Sequence, residues 1–366
     1  MTGAPPPAAR PLGVVVNPTA GKGRAVRAGA VVVDTLREAG HLVHDLSGRT
    51  ADLALTRARR AVDAGAVRAL VVVGGDGMVH LGAQAVAGTG VPLGVVAVGT
   101  GNDFAPTLGL PVGDVGASCR ALLAALDAGE RGVRAVDAAF VSGPGLVAGP
   151  DAVGGQGRWV AGAVSAGLDA TVNARANAMR RPRGSSRYTI AAVREVVGYR
   201  PWSYRLTFDG LQPTGAHEHP GVGTAAGLHL RSDGDGTATW TGRAALVTAA
   251  NGPRIGGGVL VAPHARVDDG YLDVVIGTDL SRPAAAAVFP SMFVGAHLRH
   301  RKVHLVRARA VTVEPGPDAW ASGERPMPVA FGDGERLGAL PLRVEARAGA
   351  LHALVPAGPA APSRAG

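Results

Sequence analysis

The chain has 366 residues, 46% hydrophobic but only 4% aromatic, which is length enough for two domains with cores built of Val, Ala and Leu. A single cysteine, Cys119, excludes an internal disulfide framework and a multi-cysteine zinc site, and no apolar run reaches the ~18 residues of a membrane span. The formal net charge of +9, carried almost wholly by arginine, suits nucleic acid or an anionic membrane surface. No nucleic-acid-reading motif is present and aromatics are too sparse for base stacking, so nucleic acid is set aside.

In chain order, residues 1–11 read as a disordered tail without a signal-peptide core. The apolar run Val14–Val16 leads into the small, polar turn Asn17-Pro18-Thr19-Ala20-Gly21-Lys22-Gly23 and then a helix over about 25–39. A second helix is predicted over 51–64, with Gly65 as its stop. Val71–Val73 ends in Gly74-Gly75-Asp76-Gly77, and Val95–Val98 ends in Gly99-Thr100-Gly101-Asn102-Asp103-Phe104. A further helix over 116–129, stopped by Gly129, precedes a strand reaching Asp137. This alternation predicts an α/β domain with a mostly parallel sheet and helices on both faces. Strands that end in glycine turns put backbone N–H groups and helix N-termini at the carboxyl edge of the sheet, where a polyphosphate fits. The standard nucleotide motifs are not met. A P-loop requires glycine where Val16 stands and Ser or Thr where Gly23 stands, and the first turn is not the dinucleotide fingerprint.

From about Ala138 the texture changes to short alternating segments at 203–208, 244–249, 272–276 and 311–314, with one helix near 188–197. An antiparallel β domain follows. Glycine-rich stretches at 142–157 and 209–237 read as loops. His217-Glu218-His219 lacks a second ligand group and is not taken as a metal site. Asp233-Gly234-Asp235 lacks the distal Glu of a calcium loop. Arg175, Arg180, Arg181, Arg183 and Arg187 form the densest basic cluster, suited to lipid headgroups or simply to solvent.

The three glycine turns do not stand alone. Downstream come Asn251-Gly252-Pro253 with Gly256-Gly257-Gly258, Ala262-Pro263, Asp268-Asp269-Gly270-Tyr271-Leu272-Asp273, Gly332-Asp333-Gly334-Glu335, and Gly349 to Pro356. In this order, over about residues 12–356, they resemble the motifs of the soluble diacylglycerol kinase family, which includes sphingosine and ceramide kinases. The resemblance implies an N-terminal αβα ATP-binding domain over 12–138 and a C-terminal antiparallel β-sandwich lipid-substrate domain over 139–339. Strands at about 340–356 would return to the first domain, and 357–366 would be a tail. It implies a kinase moving the γ-phosphate of Mg-ATP to the hydroxyl of diacylglycerol. Nucleotide contacts would come from Asn17, Pro18, Thr19, Ala20 and Gly21, from Ser47 with Thr50 as runner-up, from Gly74, Gly75, Asp76, Gly77, Met78, Val79 and His80, and from Thr100. Asp76 would help hold a catalytic magnesium, Asp137 and Asp333 would join the acidic network, and Glu335 would take the proton of the attacking hydroxyl. A structural magnesium would sit on the Asp269 carboxylate and the backbone oxygens of Arg266 and Tyr271. A cytoplasmic protein in peripheral contact with an anionic membrane, and a homodimer, fit the same family.

Met78, His80, Leu81 and Pro106 depart from the family pattern, where Thr, Asn, Glu and Arg are usual. Backbone-mediated binding survives such changes, because N–H groups do not depend on the side chain. A kinase acting on a sphingoid base, a polyprenol or NAD, and a non-catalytic nucleotide or lipid sensor, remain alternatives at this point.

Overall fold

A computed structural model of the chain describes residues 10–17, 24–99, 101–147, 157–179, 186–212, 228–234, 236–319 and 326–357; for Arg24 and residues 186–189 only the backbone is described. The chain divides into two compact units, residues 1–136 with 350–366, and residues 137–349.

The first unit alternates strand and helix. It runs β1 (Leu12–Val16), α1 (Arg24–Glu38), β2 (Val43–Asp45), α2 (Ala51–Asp63), β3 (Ala69–Gly74), α3 (Asp76–Val86), β4 (Leu93–Ala97), α4 (Phe104–Thr107), α5 (Val115–Asp127) and the start of β5 (Val133–Ser142). β2, β1, β3 and β4 lie side by side and parallel, with Val16 beside Val73 and Gly74 beside Ala97. Alternate residues of the buried strands serve opposite faces. Leu12, Val14, Val71, Val73 and Val96 pack on Ala28, Val32 and Leu36 of α1 and Leu122 and Ala125 of α5. Val72 and Leu93 instead meet α3 at Gly82, where an added Cβ would lie 2.6 Å from a Leu93 methyl. The missing side chain at Gly82 leaves that space to the Leu93 and Val72 methyls.

The predicted helices appear almost where their signals place them. Thr50 caps α2 by accepting the Leu53 N–H at 3.2 Å, and Gly65 ends it at φ +59°. Asp114 caps α5 through the Ala117 N–H, and Gly129 follows at φ +60°. α3 is an addition: the Gly-Gly-Asp-Gly turn runs directly into a helix.

The second unit continues β5 and adds β6 (Gly157–Val160), β7 (Ala163–Gly167), α6 (Leu168–Ala178), α7 (Ser186–Val197), β8 (Trp202–Leu211), β9 (Arg231–Ser232), β10 (Thr237–Ala250) and β11 (Leu272–Thr278). It ends with α8 (Arg282–Ser291), β12 (Val303–Pro315), β13 (Ala330–Gly332), β14 (Glu335–Gly338) and most of β15 (Leu342–Leu354). Pairing is antiparallel, from β14 through β13, β7, β10, β11 and β12 to β15. β8 closes a circuit by pairing with both β10 and β12. A register shift between Ala244 and Leu246 lets β10 leave β8 for β11. Trp202, Tyr204, Leu206 and Phe208 alternate into the core, so the few aromatic residues are concentrated here rather than spread through an aliphatic interior.

The chain enters the second unit within β5 and leaves it within β15, whose Ala353 runs parallel to Leu93 of β4 in the first unit. Residues 1–9 and 358–366 of the expected tails, and the His217 cluster, lie outside the described residues. Pro11 is ordered, its carbonyl accepting the Arg68 N–H at 3.0 Å.

Candidate active site

In the first unit the parallel register brings the carboxyl ends of β1, β3 and β4 together. The Asn17 N–H donates to the Val73 carbonyl at 3.3 Å, and the Val98 and Gly99 N–H groups donate to the Gly74 carbonyl at 2.9 and 3.2 Å. Asn102 closes the third turn on itself, accepting the Gly99 N–H and donating to the Gly99 carbonyl. Asp76, at the first residue of α3, accepts the Asp103 N–H at 2.8 Å and the Phe104 N–H at 3.5 Å through Oδ1. One carboxylate thus ties the second glycine turn to the third. No side chain caps α3; the Met78 and Val79 N–H groups of its first turn donate to the Gly75 carbonyl at 2.8 and 3.3 Å, and Gly77 is exposed at this helix N-terminus.

Glycine is required where these turns touch. A Cβ on Gly99 would fall 2.4 Å from the Gly75 Cα and 2.9 Å from its nitrogen, and one on Gly75 would meet the Gly101 carbonyl oxygen at 2.9 Å. Gly99→Ala must push two backbones apart. The expected result is a fall of about 10²-fold in kcat/KM for the nucleotide with the fold retained, read by steady-state kinetics and circular dichroism.

The remaining nucleotide-side residues divide. Met78, Val79 and His80 are buried in α3, with His80 against Gln84 at 3.4 Å and the Met78 and Val79 N–H groups on the Gly75 carbonyl, so none offers its side chain to a ligand. The Ser47 hydroxyl oxygen accepts the Val16 N–H at 3.0 Å, which places it at the end of β1. Thr50 is occupied as a helix cap. Pro18, Thr19, Ala20, Gly21 and Thr100 lie outside the described residues.

The second unit holds the other carboxylates. Asp333 sits in the β13–β14 turn at φ +51°, ahead of Gly334 at +85°. Its two oxygens accept the Ala161 and Gly162 N–H groups, each at 2.8 Å, so its carboxylate anchors the turn to the β6–β7 connection. Asn177 of α6 donates to the Gly334 carbonyl at 3.2 Å. Glu335 follows as the first residue of β14, paired with Gly332 and exposed. Asp137 is buried and accepts the Gly270 N–H at 2.7 Å and the Gly349 N–H at 2.9 Å. The structure joins the Asp137 carboxylate to the Gly270 turn, and Asn251 donates both to the Asp137 carbonyl and to that of Ala161, whose N–H is held by Asp333.

Magnesium fits one expected position better than the other. Asp76 supplies a hard oxygen donor where the second and third glycine turns meet, and magnesium carried on nucleotide phosphates needs only one or two protein carboxylates. At Asp269, Oδ1 accepts the Tyr271 N–H at 3.1 Å and Oδ2 is ion-paired to Arg307. The same guanidinium reaches Asp273 at 3.5 Å and lies 5.3 Å from the Tyr271 ring centroid. Burial pushes the Asp273 carboxyl up to about 6; Arg307 pulls it down and Asp269 pushes it up. Arg266 pairs with Asp268. Arg307 already supplies the positive charge, and these residues do not fit a structural magnesium as they stand.

Sequence reasoning passed over Asp169. It lies in the first turn of α6, accepting the Thr248 hydroxyl at 2.7 Å and the Ala170 N–H at 2.9 Å, and burial raises its pKa. The signal was a lone acid two residues after the strand-ending Gly167.

Comparison with known proteins agrees with this geometry. A family described as "Diacylglycerol kinase catalytic domain" matches residues 11–134, and one described as "YegS C-terminal NAD kinase beta sandwich-like domain" matches residues 162–355. A "Diacylglycerol kinase" of Mycobacterium tuberculosis is 31% identical over 86% of this chain and 89% of its own. A Stenotrophomonas maltophilia protein described as "Probable lipid kinase YegS-like" is 27% identical over 81% and 82%. The crystal structure of a diacylglycerol kinase from Bacillus anthracis, 18% identical, shares the fold with a TM-score of 0.60 over 94% of this chain and 97% of that one. With its glycine turns, its Asp-Gly-Glu hairpin and both halves matched, the chain belongs to the diacylglycerol kinase family of lipid kinases, phosphotransferases with a lipid acceptor.

Proposed function

We propose that this lipid kinase transfers the γ-phosphate of Mg-ATP to the hydroxyl of diacylglycerol, giving phosphatidic acid. The observation that carries the reading is the Asp76 tie between the Gly74–Gly77 and Gly99–Phe104 turns, which holds two glycine-rich loops together at the α3 N-terminus, as a triphosphate site requires. The choice of diacylglycerol rests on the M. tuberculosis relative's description.

Asn17, Gly74, Gly75, Gly77 and the backbone of Met78–His80 bind the nucleotide, with the Ser47 hydroxyl and the residues 18–21 and 100 assigned to the same task. The acceptor oxygen forms a bond to Pγ as the Pγ–O bond to ADP breaks, and the hydroxyl proton passes to the Glu335 carboxylate. Alcohol deprotonation runs late in such transfers, so an ordinary carboxylate suffices. Magnesium, when bound with the nucleotide, neutralises charge developing on the phosphate oxygens. Asp333 acts by holding the turn that presents Glu335.

The test is transfer of labelled γ-phosphate from Mg-ATP in mixed micelles containing diacylglycerol, a sphingoid base or a polyprenol, with NAD as a parallel acceptor. Label in diacylglycerol alone is the expected result. Label in another lipid corrects the acceptor, and label in NAD overturns the lipid assignment.

A further inference from the structure

Among the described residues six exposed large apolar side chains, Val26, Val31, Leu42, Leu53, Val112 and Val147, lie in other parts of the chain, and five gather on α7 and after α8. These are Ile190, Val193 and Val197 on α7 and Phe293 and Val294 in the turn after α8, with Val193, Val197 and Val294 at 62%, 70% and 74% exposure. Ile190, Val193 and Val197 recur at the i, i+3, i+7 spacing of one helix face. The two groups adjoin. Phe289 of α8 packs on the buried cluster that includes Ala191 and Ala192 of α7, and the Phe293 ring stands 6.1 Å from Phe289. A soluble surface rarely leaves such a patch without a partner.

The charge in the segments that carry the patch is predominantly of one sign. Arg194 and Arg200 are exposed at the end of α7, and Arg282, Arg299 and Arg301 are exposed around α8. From Ala170 to Phe208 the one acid is Glu195, which is buried and ion-paired to Arg175 at 2.5 Å. From Leu280 to Val313 there is none. The nearest flanking acid, Asp279, lies 3.9 Å from the Lys302 ammonium. Aliphatic and phenyl side chains in segments whose exposed charges are arginines, with Asp279 the one exposed acid at their edge, match the acyl boundary and anionic headgroups of a bilayer. A protein partner of ordinary mixed charge would leave these arginines unanswered.

We infer that the exposed face of α7 and the turn after α8 dock this protein on an anionic bilayer, with Val193, Val197, Phe293 and Val294 entering the headgroup layer and Arg194, Arg200, Arg299 and Arg301 meeting the lipid charge. The inference deepens the lipid-kinase reading by naming the surface that reaches the acceptor's membrane.

The test is co-sedimentation of the full chain with phosphatidylcholine vesicles, with and without phosphatidylglycerol. Wild type should partition onto the phosphatidylglycerol vesicles. The double variant Val193→Asp/Val197→Asp should lose about tenfold or more of that binding, and so should Phe293→Ser/Val294→Ser. Arg194→Glu/Arg301→Glu should remove the dependence on phosphatidylglycerol. All three should keep the thermal midpoint and the transfer rate to a water-soluble short-chain diacylglycerol. Phosphatidylglycerol-dependent binding that survives the aspartates is attraction by net charge alone and overturns the assignment. Unchanged sedimentation with an altered oligomeric state in light scattering makes the face a contact between copies, and overturns it too. Sedimentation needs no turnover. Docking that is lost in the variants, from a protein that phosphorylates no lipid, would uphold the surface and reject the proposed reaction.

Discussion

Glu335→Gln is expected to lower phosphoryl transfer by about 10³-fold while leaving the dissociation constant for ATP within about twofold of wild type. The amide has the shape of the carboxylate but cannot accept the hydroxyl proton, so the loss isolates that one step. The position is fixed by its surroundings: Glu335 pairs with Gly332 across the hairpin, and Asp333 is held through two backbone N–H groups at 2.8 Å. The substitution should therefore leave the backbone where it is. Labelled transfer into lipid and calorimetric titration of nucleotide, on the same preparation, make the comparison. Wild-type turnover in the variant would remove Glu335 from the chemistry and return the family's acid–base role to another group.

The second large effect is on stability. Asp137→Ala should cost about 1–4 kcal/mol, because it strands the part-buried Gly270 and Gly349 N–H groups, and an orphaned donor costs about 1–3 kcal/mol, less where water can reach it. Asp137→Asn retains one acceptor oxygen and should lose roughly half as much. Thermal and urea unfolding read both. The loss should appear as a lower midpoint with an unchanged urea slope, since the unfolded surface is the same. Transfer activity at a temperature well below the midpoint should be kept, because Asp137 serves the Gly270 turn rather than the nucleotide side.

Much of the first unit was legible in the sequence for simple reasons. Val14–Val16, Val71–Val73 and Val95–Val98 are β-branched runs bounded by glycine, and α2 and α5 carry both a cap and a glycine stop. α3 escaped because it is buried nearly all round and contains Gly77 and Gly82, so it has no amphipathic period to read. α6 and α8 were missed as alanine-rich segments, the latter with Pro283 in its first turn and Pro290 inside it. Chemistry-bearing residue types could be listed from motifs, but their work could not. Asp333 finds Gly162 across 171 residues of sequence, and Asp137 finds Gly349 across 212. No local pattern encodes such a contact. Arg307, which neutralises Asp269, carries no motif at all. That is why a magnesium ligand could be read from the Asp-Asp-Gly-Tyr string when the folded carboxylate already has a cation.

The hydrogen bond from Gly349 to Asp137 also bears on how the chain is made. Asp137 and Gly349 are the first and last residues of the second unit, so everything between them is a loop with a mouth one hydrogen bond wide. A loop of that kind can lengthen at little entropic cost to its host, since closure grows only with the logarithm of length. The parallel sheet nevertheless waits for its last strand. On the ribosome, β1 to β4 emerge early, while the stretch around Ala353 that lies beside β4 follows only after the entire insertion. The first unit is therefore begun first and finished last, and cannot complete its sheet before the second unit has been synthesised.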